Sequence, residues 1–317
     1  MSGTTSNAFI TKVLRRCFWP ADSITGLASN AKLTDTDILA IADEEIAGDF
    51  RQLTAMLQGN WYLTQQDYTI TADQALYRLP NRIFGPIVDV VIVDSTGDEV
   101  SMGTLDVRDL GHHTASGRRT FDHFLQGDFV RLYPTPSSTQ DTLRVKYYRK
   151  PNSLVLVANA LQVTATTLAS NLLTFGSDPD TLFDAADEVD VISNGNSHSL
   201  LTYENAIATF PVDNVSATLT DDISASQIEA GDWMVATGST PVLPVPDELL
   251  TALVRRVASE CLRSAGERDA AMQEEERADK AWTDAEALLR DRSEAEPKTI
   301  VTRNSSLRSR MHFGVVR

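Results

Sequence analysis

Two cysteines in 317 residues, Cys17 and Cys261, are too few for a disulfide framework, and both fall at apolar helical positions. That usage fits buried thiols in a reducing compartment. No stretch approaches the roughly 20 consecutive apolar residues of a membrane-spanning helix. The first residues, MSGTTSNAFITKVLRRCFWP, place their basic residues after the apolar ones, which is not the order of a secretory signal. Synthesis in a cytoplasm, without export by a signal peptide and without a membrane partner, is therefore expected. Aromatic residues make up only 7%, and the four tryptophans, Trp19, Trp61, Trp233 and Trp282, are dispersed as core or interface anchors rather than gathered into a sugar-stacking platform. Basic residues are outnumbered, 28 against 44 acids, and residues 154–240 contain neither Lys nor Arg. A body so acidic does not grip nucleic acid, because affinity for phosphates comes from Lys and Arg displacing counterions.

Signatures of chemistry are also missing. The phosphate loop, the Rossmann glycine fingerprint, HExxH, GxSxG and paired CxxC do not occur. Ser197 and His198 are adjacent in GNSHS, but a catalytic Ser and His meet through the fold and gain nothing from adjacency; a polar hairpin tip is the better reading. His112, His113 and His123, with Asp109 and Asp122 nearby, lack the ligand spacing of a structural zinc site and read as a solvated loop. Asp43, Glu44, Glu45 and Asp49, like Glu274, Glu275 and Glu276, read as the wet faces of amphipathic helices. No enzyme, metal or cofactor is expected.

What the chain does have is an abrupt change of sign at its end. The segment PKTIVTRNSSLRSRMHFGVVR, residues 297–317, carries five cations and no acid on a chain of net charge −16, which leaves −21 on the rest. Such a basic segment of low hydrophobicity cannot fold alone and reads as a tail that orders on a partner.

Periodicity divides the chain further. Phe9, Ile10, Val13, Leu14, Cys17 and Phe18 share one helical face opposite Lys12, Arg15 and Arg16, and Pro20 ends that helix. In TDTDILAIADEEIAGDFRQLTAMLQG the stripe Ile38, Ala42, Ile46, Phe50, Leu53 and Leu57 predicts one helix, capped by Thr34 or Thr36 and ended at Gly59. From Trp61 short alternating runs without intervening helices predict antiparallel strands, broken by a polar loop over 103–126. Residues 154–240 read as an inserted acidic all-β module. After Pro246, Leu249, Leu250, Leu253, Val254, Val257, Ala258, Cys261 and Leu262 make a broad apolar face. Gly266 breaks the run, and a last, more polar helix carries a narrow stripe of Ala271, Ala278, Trp282, Ala285 and Leu289 suited to neighbouring subunits. The resulting expectation is an α+β protein: a helical bundle core from residues 1–60 and 241–296, antiparallel strands over 61–153, the inserted β module, and the extended tail.

The segments LTDTDILAIADEEIAGDFRQL (33–53), LYRLPNRIFGPIVDVVIVD (76–94), GDFVRLYPTP (127–136), LRVKYYRKPN (143–152) and PVPDELLTALVRRVASECL (244–262), taken in that order, resemble bacteriophage head-to-tail adaptor proteins. The resemblance implies a structural virion protein at the head-tail neck, made in the cytoplasm of a bacterial host. It implies a ring, commonly of twelve subunits, between the portal protein and the tail or nozzle proteins, with genomic DNA passing through unbound. It also implies a C-terminal extension that docks on the portal. On this chain that role falls to Lys298, Arg303, Arg308, Arg310 and Arg317 for polar contacts and to Met311, Phe313, Val315 and Val316 as apolar anchors. Two other readings stand beside it. One is a carbohydrate- or receptor-binding tail component acting through the β module; the other is a hydrolase using Asp187 or Asp190 with Glu204 as a nonlocal acid pair.

Overall fold

The structure, a computed structural model, describes residues 3–17, 33–50, 62–106, 108, 121–137, 139, 141–195, 200–211, 215–224 and 226–293. Helix α1 (Ser6–Arg16) starts where the Thr5 hydroxyl accepts from the Ala8 amide, and it buries Phe9, Ile10, Val13 and Leu14. Helix α2 (Asp35–Glu45) opens with a capping box: the Asp37 amide donates to Thr34 Oγ1 at 3.2 Å and the Thr34 amide donates to Asp37 Oδ2 at 2.7 Å.

Sixteen strands are described. The first eight are β1 (Leu63–Thr69), β2 (Leu76–Arg78), β3 (Ile83–Val93), β4 (Glu99–Ser101), β5 (Gly103–Thr104), β6 (Asp122–Gln126), β7 (Phe129–Tyr133) and β8 (Thr142–Arg149). They form two four-stranded sheets, ordered β1-β8-β3-β4 and β2-β7-β6-β5. Strand β8 alternates strictly, with Leu143, Val145, Tyr147 and Arg149 buried. Leu143, Val145 and Tyr147 share a core with Val90 and Ile92 of β3 and with Tyr77, Val130 and Leu132 of the second sheet. Next come β9 (Ser153–Leu154), β10 (Leu161–Thr167), β11 (Leu172–Phe175), β12 (Glu188–Ile192), β13 (Leu200–Thr209), β14 (Ser216–Leu219), β15 (Trp233–Ala236) and β16 (Ser239–Thr240). Strands β10–β15 close into a barrel ordered β10-β11-β14-β13-β12-β15, filled by Val163, Leu173, Phe175, Val189, Val191, Ile207, Leu219 and Met234. Closure leaves no free sheet edge. Strands β9 and β16 pair in parallel, so the chain enters and leaves the barrel side by side.

Helix α3 (Asp247–Ser264) follows, with Asp247 and Glu248 complementing its positive end. Gly266, at φ 88°, makes the turn that a side chain would resist, and α4 (Arg268–Ser293) runs back along α3. Helix α3 buries Leu249, Ala252, Leu253, Val257, Ala258, Cys261 and Leu262 against α1, α2 and α4, and the Cys17 thiol lies 3.7 Å from the Ala258 carbonyl. The narrow stripe of α4 buries Ala271, Ala278 and Ala285. Trp282 stands edge-on to Phe50 with ring centroids 4.7 Å apart.

The expectation of a helical bundle core is overturned. The fold is mixed and mostly β, with four α-helices against sixteen strands among the described residues. The helices build one local cluster, while the paired sheets and the barrel each fill a core of their own from alternating Val, Leu, Ile and Tyr. The β regions therefore do not depend on a helical centre for burial. A second difference lies in α2, read as one helix through Gly59. After Glu45 the chain widens into a π-helical turn, Ile46–Phe50, in which Gly48 leaves helical geometry at ψ −117°. Ile38, Ala42, Ile46 and Phe50 are all buried across this break, so the apolar period survives it. The predicted continuation to Gly59 lies outside the described residues.

Candidate assembly surface

Two polar centres and two charged faces set what this molecule can present. The first centre joins sheet to barrel. Asp190 on β12 is fully buried and accepts from Arg82 Nη1 at 2.7 Å, the Glu204 amide at 3.0 Å, the Gly238 amide at 3.0 Å and Asn152 Nδ2 at 3.4 Å. Asn152 Oδ1 in turn accepts from Arg82 Nη2 and, at 2.8 Å, from Arg149 Nη1. The Arg82 guanidinium lies 4.9 Å from the centre of the Tyr203 ring. Burial and the neighbouring Arg82 push the Arg149 pKa down, and burial pushes Glu204 up. Asp190 is thus saturated by four donors from four segments, which makes it a fastening rather than one half of a hydrolytic acid pair. Asp187 serves a turn, accepting from the Asp184 amide at 2.8 Å.

The second centre joins the helices to the same root. Both carboxylate oxygens of Asp43 on α2 receive the Leu154 amide, at 2.8 and 3.0 Å. Burial pushes this acid up to about 6, with the Leu154 hydrogen bond opposing. Glu274 is 4% exposed and bonded to Arg255 at 3.1 Å and Arg277 at 2.6 Å. Neither acid belongs to a wet face as their spacing predicts. Glu44 and Glu275 do face solvent, and Glu45 is half-buried against Arg256 at 3.5 Å.

Among the described residues no group of three or more His, Cys, Asp or Glu side chains is placed to hold a metal ion. His123 is buried on β6, where desolvation lowers its pKa, and the adjoining Asp122 accepts from the Gly103 amide. His112, His113, Asp109, Ser197, His198, Trp19 and Trp61 lie outside the described residues, as do all nine tail positions from Lys298 to Arg317. Trp233 is buried at the root of the barrel beside Ile192, Val235 and Val242.

The charged faces belong to the helical cluster. Between α1 and α3 runs a groove of about 370 Å³, lined among the described residues by Lys12, Arg15, Arg16, Leu250, Thr251 and Val254. The three cations follow i, i+3, i+4 spacing and so share one side of α1. Lys12 Nζ reaches Thr4 Oγ1 at 3.4 Å, while Arg15 and Arg16 are exposed and make no ion pair among the described residues. They also complement the negative end of α1. Between α3 and α4 lies a smaller cleft of opposite sign, bordered by Glu45, Glu260, Glu275 and Asp279 around Arg256 and Ser259. Sequence reasoning treated Arg15 and Arg16 as the polar side of a short helix. Their i, i+3, i+4 spacing with Lys12 is the signal that was there to find, but Leu250 and Val254, which turn that side into a groove, lie more than 230 positions away.

The family model described as SU10 adaptor protein matches residues 5–189. The match takes in α1, α2, both sheets and the barrel as far as β12. No curated protein matches the chain.

Proposed function

The chain belongs to the SU10 adaptor protein family, and from that premise we propose that it forms a ring at the neck of a bacteriophage particle, joining portal to tail around the DNA channel. The family match over residues 5–189 carries this reading, and its coarse content is a structural role as a phage adaptor. The ring, its partners and its tail contact are the reading's finer part, and physical arguments support each. A net charge of −16 suits a conduit wall, since basic walls would hold the duplex by its phosphates and slow its passage. A barrel fastened through a buried Arg82–Asp190 pair is carried as part of a rigid subunit, as a connector under load requires. The basic tail from Lys298 to Arg317 docks on the portal, with Arg303, Arg308 and Arg310 meeting acids and Met311, Phe313, Val315 and Val316 filling apolar sites. A tail that orders only on its acceptor fixes the sequence of assembly, because it binds after the portal exists.

Native mass spectrometry of the protein mixed with the portal ring of the same phage tests the whole reading. Full-length chain should bind in ring-like stoichiometry, and a chain ending at Glu296 should not. Failure of both to bind would refute the connector role, and binding by both would refute the docking tail.

A further inference from the structure

Met272 on α4 is 61% exposed, the most exposed large apolar side chain among the described residues. Its helical neighbours at three and four positions are Asp269, Glu275, Glu276 and Arg268, with Asp279 two turns on. Glu275 is held by Arg263 at 2.8 Å and Asp279 lies 3.6 Å from Arg256, whereas Asp269 and Glu276 make no ion pair among the described residues. The outer side of α4 is therefore an apolar knob bordered mainly by acid, with Arg268 its one cationic neighbour at that spacing.

The groove between α1 and α3 is its complement. Leu250 and Val254 give it an apolar floor, and Lys12, Arg15 and Arg16 give it a cationic rim. Arg15 and Arg16 complement the negative end of α1 and, making no ion pair among the described residues, still present their guanidinium groups to any acid that comes to the groove. One molecule cannot bring its own knob there. Arg255, Ser259 and Arg263 of α3 bond to Glu274, Ala271 and Glu275 of α4. At 3.6 residues per turn those positions centre roughly 130° around α3 from Leu250, Thr251 and Val254. Groove and knob thus sit on different sides of one helical cluster, an arrangement that lets identical subunits join head to tail and close a ring.

We propose that the α1–α3 groove of one subunit receives the outer side of α4 from a second copy, resting here on the reading that the chain assembles as a ring. Met272 seats on Leu250 and Val254, where an unbranched thioether fills an irregular apolar floor. Asp269 and Glu276 meet Arg15, Arg16 and Lys12. A phosphate would leave the floor unfilled, and the chain's own tail would bring cations to cations.

Pairing Thr251→Cys with Met272→Cys in the full-length protein tests the contact, because the native Cys17 and Cys261 are buried and do not compete. Mild oxidation, alone and on the portal ring, should give a ladder of covalent oligomers beyond the dimer, with neither single variant doing so. A ladder that stops at the dimer, or no ladder from an assembled ring, overturns the contact. Arg15→Glu with Arg16→Glu should raise the concentration for half-assembly about tenfold or more, as expected where complementary charges face one another, and adding Asp269→Lys with Glu276→Lys should restore assembly. If the first pair of changes leaves the ring intact and weakens only portal binding, the groove belongs to the portal and the proposal fails. A wild-type chain that forms no oligomer with or without the portal removes the ring reading itself, a different result from an intact ring in the variants.

Discussion

The barrel and the helical cluster each reach the short parallel ladder β9–β16 and its flanks through a carboxylate, the helices also through backbone bonds from the Ser6 amide to the Pro241 carbonyl and from the Leu243 amide to the Thr4 carbonyl, and the two carboxylates sit in opposite electrostatic settings. Asp190 of the barrel has a guanidinium at 2.7 Å besides its neutral donors; Asp43 of the helices has, among the described residues, the Leu154 amide alone. Burial is paid for in one case by a partner charge and in the other by a rise in pKa to about 6. The barrel joint thus depends on its charge, whereas the helical joint is strained by its own. The surfaces differ in the same sense. The barrel segment has no Lys or Arg to offer, while the helical cluster keeps exposed cations on α1 and an exposed methionine on α4.

Removing the barrel's carboxylate should produce the largest effect. Asp190→Ala takes from Arg82 the carboxylate it is bonded to and from the buried Arg149 a neighbouring negative charge, and breaking a buried pair in this way costs about 3–5 kcal/mol. Urea unfolding followed by far-ultraviolet circular dichroism should show the midpoint fall accordingly, and hydrogen exchange should show loss of protection at the Glu204 and Gly238 amides first. Asp190→Asn keeps part of the acceptor set and should fall between variant and wild type. An Asp190→Ala protein as stable as wild type would erase the contrast between the two joints.

Some of this was legible in the sequence. The apolar faces of α1 and α3 and the alternation of β8 follow from spacing alone, and the family resemblance came from segments later spanned in large part by the family match. The weight of helix against sheet was misjudged because amphipathic helices near both ends of the chain give long, strong periodic signals. Strands of two to five residues give weak ones, and β closure is invisible until the register is known. Gly48 escaped notice because Ile46 and Phe50 keep the stripe running across it. Arg82 and Asp190 are 108 positions apart, and nothing local in either marks the other. The same holds for the groove, whose cations were read as a wet helix side because their apolar floor comes from the far end of the chain.

The helical joint should respond in the reverse direction. A folded-state pKa near 6, above the ordinary 3.8, means the folded protein binds the extra proton between those values. The stability this contributes is complete below the ordinary pKa and is lost as pH rises through about 6. Asp43→Asn keeps an oxygen for the Leu154 amide and removes the buried charge. It should flatten the stability profile between about pH 4 and 6 and raise stability at pH 7 by on the order of 1 kcal/mol. Unfolding midpoints measured across that range decide the matter: a variant that loses stability at pH 7 would place Asp43 with Asp190 as a joint that needs its charge.

The weakest response is expected at the cap of α2, on the helical side alone. Thr34 caps α2 through its hydroxyl, and its amide and hydroxyl both donate to Asp37, holding that carboxyl below its ordinary pKa. Thr34→Ala removes the acceptor for the Asp37 amide and one of the two donors to its carboxylate, a loss of about 1 kcal/mol for a helix cap. The depressed pKa means that the hydroxyl-to-carboxylate part of this contribution is present above the ordinary carboxylate range and fades as pH falls, so the gap between wild type and variant should narrow in acid without closing, since the hydrogen bond from the Asp37 amide carries no charge. Because the Asp43–Leu154 contact is the one hydrogen-bonded link of α2 to the barrel root among the described residues, the extra hydrogen exchange should appear in α2 and stop there. Exchange that spreads into β12 or β15 would show that the two joints are coupled and that the barrel is held by the helices as well as by Arg82.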